Sequence, residues 1–195
     1  MILVAGTNSD WETEGNDRST LKLPGKQNQL IEKVTEANQN TIIVMNTGGP
    51  CTMPWIDKAP AVLQSWFPGQ EFGNSLYDLI FGKVNPSGKL TTTFPKKLKD
   101  TPAFKHYPGE NLQMDYLEGL YVGYRWYEKE NIEPLFCFGH GLSYTDFEYD
   151  NLKVIPPQTE DAVISLSLNI KNIGERAGKE VVQLYVSVEN SNVDR

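Results

Sequence analysis

Short apolar runs and amphipathic segments take turns along the first 82 residues of the chain. Short, largely apolar runs at residues 2–5, 41–45 and 61–66 predict buried β-strands. Apolar positions three and four residues apart predict helices over 27–37 and 70–81. Continuously apolar strands that alternate with helices are typical of a parallel sheet covered on both faces. The fold class predicted for this part is therefore α/β, and because three strands make a small sheet, we expect earlier strands to lie outside the chain.

The pattern changes in the second half of the sequence. Residues 85–134 are rich in loop formers, with strand-like pieces at 90–94 and 120–127. From residue 147 onward apolar positions alternate with polar ones, most clearly at 164–170 and 182–188, which a glycine-bearing turn connects. This alternation predicts antiparallel strands, but a β-sandwich needs about seven and only three fit. We therefore expect an α/β domain over residues 1–140 and a truncated β-sandwich over 141–195.

Composition removes several classes of function. A net charge of −7 argues against nucleic-acid binding through phosphates. No apolar stretch reaches eighteen residues, so we expect no membrane span. Cys51, Cys137, His106 and His140 stand apart from one another, so neither a metal site nor a disulfide framework is expected. The N-terminal residues lack the basic start of a signal peptide, and Pro86 spoils the one N-glycosylation acceptor, which together favour a cytoplasmic location.

The polar stretch after the first predicted strand contains the candidate chemistry. Four carboxylates and an arginine lie within nine residues: Asp10, Glu12, Glu14, Asp17 and Arg18. Ligands of open α/β sheets bind at the carboxyl ends of the strands, where this loop lies. A carboxyl group beside Trp11 could protonate a leaving group, and the indole could stack on a sugar. The same residues would also suit a solvent-facing loop in which Asp17 and Arg18 hold the backbone, and composition and spacing leave both interpretations open.

Four segments resemble glycoside hydrolase family three. They are residues 10–18 (DWETEGNDR), 68–74 (PGQEFGN), 82–90 (GKVNPSGKL) and 138–145 (FGHGLSYT). The segments occur in the family's order and with similar spacing, so the resemblance covers essentially the whole chain. It implies the C-terminal part of a β-glucosidase: part of the α/β sandwich domain, followed by the start of a fibronectin type III-like domain.

The resemblance also implies a mechanism. In this family a preceding β/α barrel supplies an Asp nucleophile, and the α/β sandwich supplies the acid/base Glu. The acid/base Glu lies within a Glu-Gly-x-Asp-Arg pattern, which in this sequence implies Glu14. Glu12 is the second candidate, because alignments of short loops slip by two residues. The expected reaction is retaining hydrolysis of terminal non-reducing β-D-glucosyl residues in small β-glucosides or oligosaccharides, with no cofactor. The chain contains no nucleophile segment, so on its own we expect it to be inactive.

The alternative is a non-catalytic sugar-binding or inert remnant of such an enzyme. Aromatic residues at Tyr121, Tyr124, Trp126 and Tyr127 predict a strand that could form a sugar platform, although packing is the more usual role of such residues. Trp55 and Trp66 flank apolar strands and are expected in the core. His140, between two glycines, is expected to be a hydrogen-bonded turn residue.

Overall fold

The computed structural model describes residues 1–15, 17–156, 163–187 and 189. In chain order the strands and α-helices are β1 (Ile2–Gly6), α1 (Gln27–Ala37), β2 (Ile42–Asn46), β3 (Ala61–Gln64), α2 (Phe72–Ile80), α3 (Tyr124–Lys129), β4 (Phe147–Ile155) and β5 (Ser165–Asn172). Short 3-10 turns occupy Ile56–Lys58, Leu98–Asp100 and Pro102–Lys105.

The chain divides into two compact units. The first contains Met1–Phe72, Leu90–His140 and the described residues from Leu184 onward, and the second contains Gly73–Lys89 and Gly141–Gln183. The expected domain boundary at residue 140 stays a prediction, because the second unit also includes a segment from the middle of the chain.

The first unit is built on a parallel three-stranded sheet with the order β1-β2-β3. This confirms the α/β class and the three predicted strands. Central strand β2 has no exposed side chain at Ile43, Val44 or Met45, as expected for a strand covered on both faces. Gly6 ends β1 in close contact with β2, since a Cβ atom there would lie only 2.1 Å from the Asn46 carbonyl oxygen. The two strand ends can approach this closely only because residue 6 has no side chain.

Helix α1 starts and ends where the apolar spacing predicts. Its first residue, Gln27, is held to the end of β1 by two hydrogen bonds of 2.8 Å, one from the Gly6 amide and one to the Gly6 carbonyl. Ile31 is fully buried against the sheet, together with Thr35, whose hydroxyl donates to the Ile31 carbonyl at 2.8 Å. The predicted helix over 70–81 is also confirmed as α2, and Gly82 follows it with a positive φ of 71°, as a helix C-cap requires.

The core of the first unit confirms the role predicted for Trp55. This side chain is 1% exposed, and its indole N–H donates to the Asn28 side chain at 2.9 Å. Trp66 is partly buried and packs edge-on against Phe94, with ring centroids 6.0 Å apart. The indole hydrogen bond of Trp55 matters because a buried N–H without an acceptor would destabilise the fold.

The predicted aromatic strand over 120–127 is wrong. Residues Tyr124–Lys129 form helix α3, which Gly123 precedes with a φ of +58°. Aromatic residues favour strands only where they fit a pleated surface, and here the helical turn buries Tyr127 in the first unit. The strand-like piece at 90–94 is also not a strand: it forms a single β-bridge, between Phe94 and Phe136.

The second unit contains the predicted antiparallel structure, but with a different pairing. Strand β5, which includes most of the alternating run at 164–170, pairs with β4, from Phe147 opposite Asn172 to Ile155 opposite Ser165. The second run does not pair with it: among the described residues 181–187 no strand is present, and Val188 lies outside the described residues. Alternation shows which face of a strand is apolar but not which neighbouring strand it will pair with.

Two of the segments that carry the family resemblance meet inside the second unit. The Asn85 side chain accepts hydrogen bonds from the Ser143 hydroxyl at 3.0 Å and the Tyr144 amide at 2.8 Å, and donates to the Ala177 carbonyl at 3.1 Å. A Cβ atom on Gly141 would lie 2.5 Å from the Gly88 carbonyl oxygen. These segments therefore have a structural role, since they hold the backbone of the second unit together.

Candidate active site

The acidic loop begins at the carboxyl edge of the parallel sheet. Strand β1 ends at Gly6, and the loop then turns tightly, because the amides of Trp11 and Glu12 both donate to the Asn8 carbonyl, at 3.0 and 2.9 Å. Neighbouring strand β2 ends at Asn46 and continues into a turn that contains Gly48. Parallel strands end at the same edge, so these segments converge where an α/β sheet binds its ligands.

Glu12 is held by residues on both sides of it in sequence. Its Oε1 atom accepts a 2.7 Å hydrogen bond from the Thr7 hydroxyl and a 3.1 Å bond from Nη1 of Arg18. The Glu12 and Arg18 side chains are 16% and 19% exposed, so the ion pair is shielded from solvent. Arg18 also donates through Nη2 to the Pro50 carbonyl at 3.3 Å, which connects the loop to the turn after β2.

The turn after β2 leaves room for this arrangement. A Cβ atom on Gly48 would lie 2.3 Å from Oε2 of Glu12 and 2.6 Å from the Phe67 ring. The Glu12 carboxylate therefore lies directly against the backbone of the turn. Cys51, two residues beyond the glycine pair, is buried, and burial raises the pKa of its thiol. A neutral thiol does not compete with Glu12 for the positive charge of Arg18.

Glu14 differs from Glu12 in being exposed. In the described part of the chain its carboxylate has no hydrogen-bond or ion-pair partner. The following residue, Gly15, has a φ of +85° and nothing within 4 Å of the position of a Cβ atom, so the backbone here is open. Asn16 of the same segment lies outside the described residues. The loop thus presents one carboxylate that is free to meet a ligand.

Asp17 and Trp11 complete the loop. Asp17 accepts a hydrogen bond from the Tyr107 hydroxyl, and this bond raises the pKa of the phenol. Asp17 and Arg18 both hold the loop, but through different partners rather than through each other. Trp11 is partly buried, and its indole N–H is sealed from solvent with no acceptor among the described residues. Its predicted contact with a sugar stays a prediction.

The aromatic residues predicted as a sugar platform separate into two groups. Tyr124 and Tyr127 line a cavity of about 710 Å³, and Tyr124 stacks on Phe138 with ring centroids 5.6 Å apart. Tyr121 and Trp126 are not among the residues that line the cavity. Lys129 lies over the Tyr121 ring, 3.8 Å from its centroid, and the Trp126 indole donates to a backbone carbonyl at 3.1 Å.

Three further observations concern the residues that the structure describes. None of their His, Cys, Asp and Glu side chains group in a way that could hold a metal ion. None of their helices has both the length and the apolarity that crossing a membrane demands. His140 forms hydrogen bonds through its backbone, accepting from Leu90 at 2.8 Å and donating to Cys137 at 3.1 Å, as expected for a turn residue.

Sequence reasoning identified the acidic loop but missed the residues that hold it. Thr7 and Gly48 stand 5 and 36 residues from Glu12, and their contacts depend on two strands ending at one edge. The available signal was the position of Gly48 and Gly49 directly after a buried strand, since glycines there often permit a close approach.

The fold and the loop place the chain in a class: the C-terminal α/β domains of enzymes that hydrolyse glycosides. The model of the Glycosyl hydrolase family 3 C-terminal domain matches residues 1–144. The chain belongs to glycosyl hydrolase family 3.

Relatives of known name agree with this assignment. The chain is 48% identical over 195 residues to thermostable beta-glucosidase B of Acetivibrio thermocellus, covering 100% of this chain and 26% of that protein. It is 45% identical over 199 residues to a beta-glucosidase of Rhizobium radiobacter, covering 100% and 24%. The chain thus spans about a quarter of the length of these relatives.

Solved structures show the same fold. The crystal structure of beta-glucosidase from Kluyveromyces marxianus in complex with glucose superposes with a TM-score of 0.91 at 44% identity, covering 100% of this chain and 23% of that one. DesR, a beta-glucosidase from Streptomyces venezuelae in complex with D-glucose, gives a TM-score of 0.80 at 44% identity, covering 91% and 22%.

Proposed function

We propose that this chain is the acid/base-bearing part of a retaining β-glucosidase and that Glu14 is its general acid and base. The contrast between the two candidate carboxylates supports this assignment. Both lone-pair directions of Glu12 Oε1 are used by Thr7 and Arg18, and its Oε2 lies against Gly48. The Glu12 side chain is only 16% exposed and is already occupied by these partners, whereas the exposed Glu14 carboxyl is accessible to a leaving-group oxygen.

The proposed chemistry proceeds in two steps. In the first, the Glu14 carboxyl donates its proton to the glycosidic oxygen as the bond to the anomeric carbon breaks, while a carboxylate from the barrel domain attacks that carbon. In the second, the Glu14 carboxylate takes a proton from the water that releases the sugar from the nucleophile. Retaining enzymes hold the two carboxyl groups about 5–5.5 Å apart. The chain supplies only one of them, so we propose that it is inactive alone.

The proposed substrates are small β-glucosides and oligosaccharides with a terminal non-reducing β-D-glucosyl residue. Two relatives were solved with glucose bound, and their matching regions cover all or most of this chain. Trp11, the residue directly before Glu12, is the proposed apolar wall for the sugar. We also propose the domain limits expected from the sequence, with residues 1–140 as the α/β part and 141–195 as the start of a fibronectin type III-like domain.

A chimera tests this proposal. Residues 1–195 replace the matching 26% of the Acetivibrio thermocellus beta-glucosidase B, which supplies the remaining domains. We expect the chimera to hydrolyse cellobiose. Glu14→Gln should lower kcat/KM for cellobiose by about 10²–10⁴-fold, the usual contribution of general acid catalysis. The same variant should keep most of its kcat/KM for 2,4-dinitrophenyl β-glucoside, whose leaving group departs without a proton.

Asp10→Asn is the matched control, because Asp10 is another exposed carboxylate of the same loop. It should leave kcat/KM for both substrates unchanged. Equal losses of Glu14→Gln on the two substrates, or cellobiose hydrolysis by the isolated 195-residue chain, would refute the assignment.

The alternative, saccharide binding without catalysis, is favoured by one observation. The cavity beside Tyr124 has the size of a small-ligand site, and aromatic faces such as the Tyr124–Phe138 stack bind sugar rings. Calorimetric titration of the chain with glucose separates the two functions. Heat at millimolar glucose that Tyr124→Ala removes and Tyr121→Ala keeps would support binding, and no heat with the unmodified chain removes this alternative.

A further inference from the structure

We propose that Glu12 and Arg18 are positioning residues, whose ion pair closes the loop around Glu14 and holds its carboxyl toward the leaving group. This inference rests on the proposed role of Glu14. Glu12 lies two residues before Glu14 and Arg18 lies four residues after it, so the 3.1 Å contact between them joins the two ends of the segment that contains Glu14.

The ion pair is fixed to the scaffold at three points. The Thr7 hydroxyl, directly after β1, donates to the same Glu12 oxygen at 2.7 Å. Arg18 donates to the Pro50 carbonyl at 3.3 Å, in the turn after β2. The second Glu12 oxygen packs against Gly48 of the same turn. The loop is therefore tied to the ends of two adjacent strands of the parallel sheet.

The Glu12–Arg18 ion pair is shielded from solvent, which strengthens it. The two side chains are less than one-fifth exposed, so salt and water screen their attraction less than at an open surface. Glu14 itself has no such partner among the described residues, so its direction depends on the backbone that the ion pair holds. Misplacement of a reacting group by about 1 Å can cost on the order of 10²-fold in rate.

The pair also balances charge beside the acid. The titratable and charged groups on the loop of Glu14 are Asp10, Glu12, Asp17 and Arg18; from neighbouring segments, Cys51 lies beside Arg18 and Tyr107 contacts Asp17. Removing Arg18 leaves the Glu12 charge uncompensated, which favours the protonated form of a nearby carboxyl. Removing Glu12 leaves the Arg18 charge uncompensated, which favours the ionised form. The two changes therefore act in opposite directions on the pH dependence of catalysis.

The experiment uses the same chimera with Arg18→Met and Glu12→Gln. For both variants we expect kcat/KM for cellobiose to fall by about 10–100-fold, with a change of less than about threefold for 2,4-dinitrophenyl β-glucoside, which needs no acid. The alkaline limb of kcat/KM should move to higher pH in Arg18→Met and to lower pH in Glu12→Gln.

Arg18→Lys separates charge from geometry. A lysine keeps the positive charge, but its single ammonium cannot reproduce the two directed bonds of the guanidinium. For Arg18→Lys we therefore expect the alkaline limb of kcat/KM to stay where it is in the unmodified chimera, while kcat/KM for cellobiose falls. Lys58→Met is the control for ion-pair removal in general, because the Lys58–Glu36 pair is more than half exposed, and it should change neither measurement.

The outcomes distinguish this inference from the proposed function. Suppose that Glu14→Gln shows the leaving-group dependence, but that Arg18→Met and Glu12→Gln lose activity equally on both substrates or move the alkaline limb in the same direction. The positioning role is then wrong, and the role of Glu14 stands. If Glu14→Gln itself shows no leaving-group dependence, the proposed function fails and this inference fails with it.

Discussion

Gly48→Ala is the change that tests the geometry of the acidic loop most directly. The added Cβ would lie 2.3 Å from Oε2 of Glu12, whereas carbon and oxygen atoms in contact are about 3.3 Å apart. The Glu12 carboxylate must therefore retreat by about 1 Å, since the backbone of the turn follows directly from β2 and the Phe67 ring closes another side. Gly48 does not have a positive φ, so the alanine adds bulk without straining the backbone.

The retreat has a calculable cost. A shift of about 1 Å lengthens the 3.1 Å bond from Arg18 to about 4 Å, beyond hydrogen-bonding distance. A hydrogen bond to a charged group contributes about 1.5–3 kcal/mol, so we expect the closed form of the loop to lose about 2 kcal/mol. At about 1.4 kcal/mol for each factor of ten, this corresponds to roughly 30-fold more frequent opening.

Hydrogen–deuterium exchange measures this opening in the chimera. The Glu12 amide donates to the Asn8 carbonyl at 2.9 Å, so exchange in a peptide covering residues 7–18 should accelerate by roughly 30-fold. Gly49→Ala is the matched control, because its Cβ would meet nothing closer than Nη2 of Arg18 at 3.8 Å, an ordinary contact. Similar exchange rates in the two variants would refute the reasoning, since only the Gly48 substitution pushes against Glu12.

Three further predictions concern stability. Gly73→Ala in helix α2 should stabilise the protein by about 0.5–1 kcal/mol in denaturant unfolding, because a Cβ there meets no atom within 4 Å; destabilisation would contradict the open space. Lys89→Met should destabilise the protein by about 3 kcal/mol, because Lys89 pairs with Glu180 at 3.2 Å and both side chains are only about 15% exposed. Lys58→Met, which removes an exposed ion pair, should have no measurable effect on stability. Burial raises the pKa of Tyr127 to about 12, above its value in the unfolded chain. This residue's contribution to stability is therefore complete below about pH 10 and is lost as pH rises toward 12. Absorbance at 295 nm follows the ionisation of the tyrosines, and ionisation of all of them near pH 10 would contradict this prediction.

The parts of the fold that the sequence predicts are those where one residue pattern has one physical solution. The uninterrupted apolar run that became β2 must be covered on both faces, which requires a parallel sheet with helices. The spacing of apolar residues in α1 fits a helix and no strand. By contrast, the aromatic residues at 121–127 suit a strand or a helix equally, and the choice depended on burying Tyr127 in the first unit.

The candidate site, like the fold, can be predicted from the sequence only in part. The family resemblance indicates which loop would contain the proposed acid, and Glu14 stands where its pattern requires. The resemblance does not indicate that the Glu12 carboxylate is held in place, because that depends on Arg18, Thr7 and Gly48 converging from separate segments. Contacts between residues far apart in sequence have no local pattern from which to predict them. The same holds for β5, whose alternation is evident although its partner, β4, is not.

The contrast between the two cysteines has a practical consequence. Cys51 is fully buried beside the Arg18 side chain, whereas Cys137 is exposed and lines the aromatic cavity. A thiol-reactive fluorophore should therefore couple to Cys137 alone, without any engineered substitution, and would sit at the mouth of that cavity. The wild-type sequence thus already contains a site-specific optical reporter for whatever enters it.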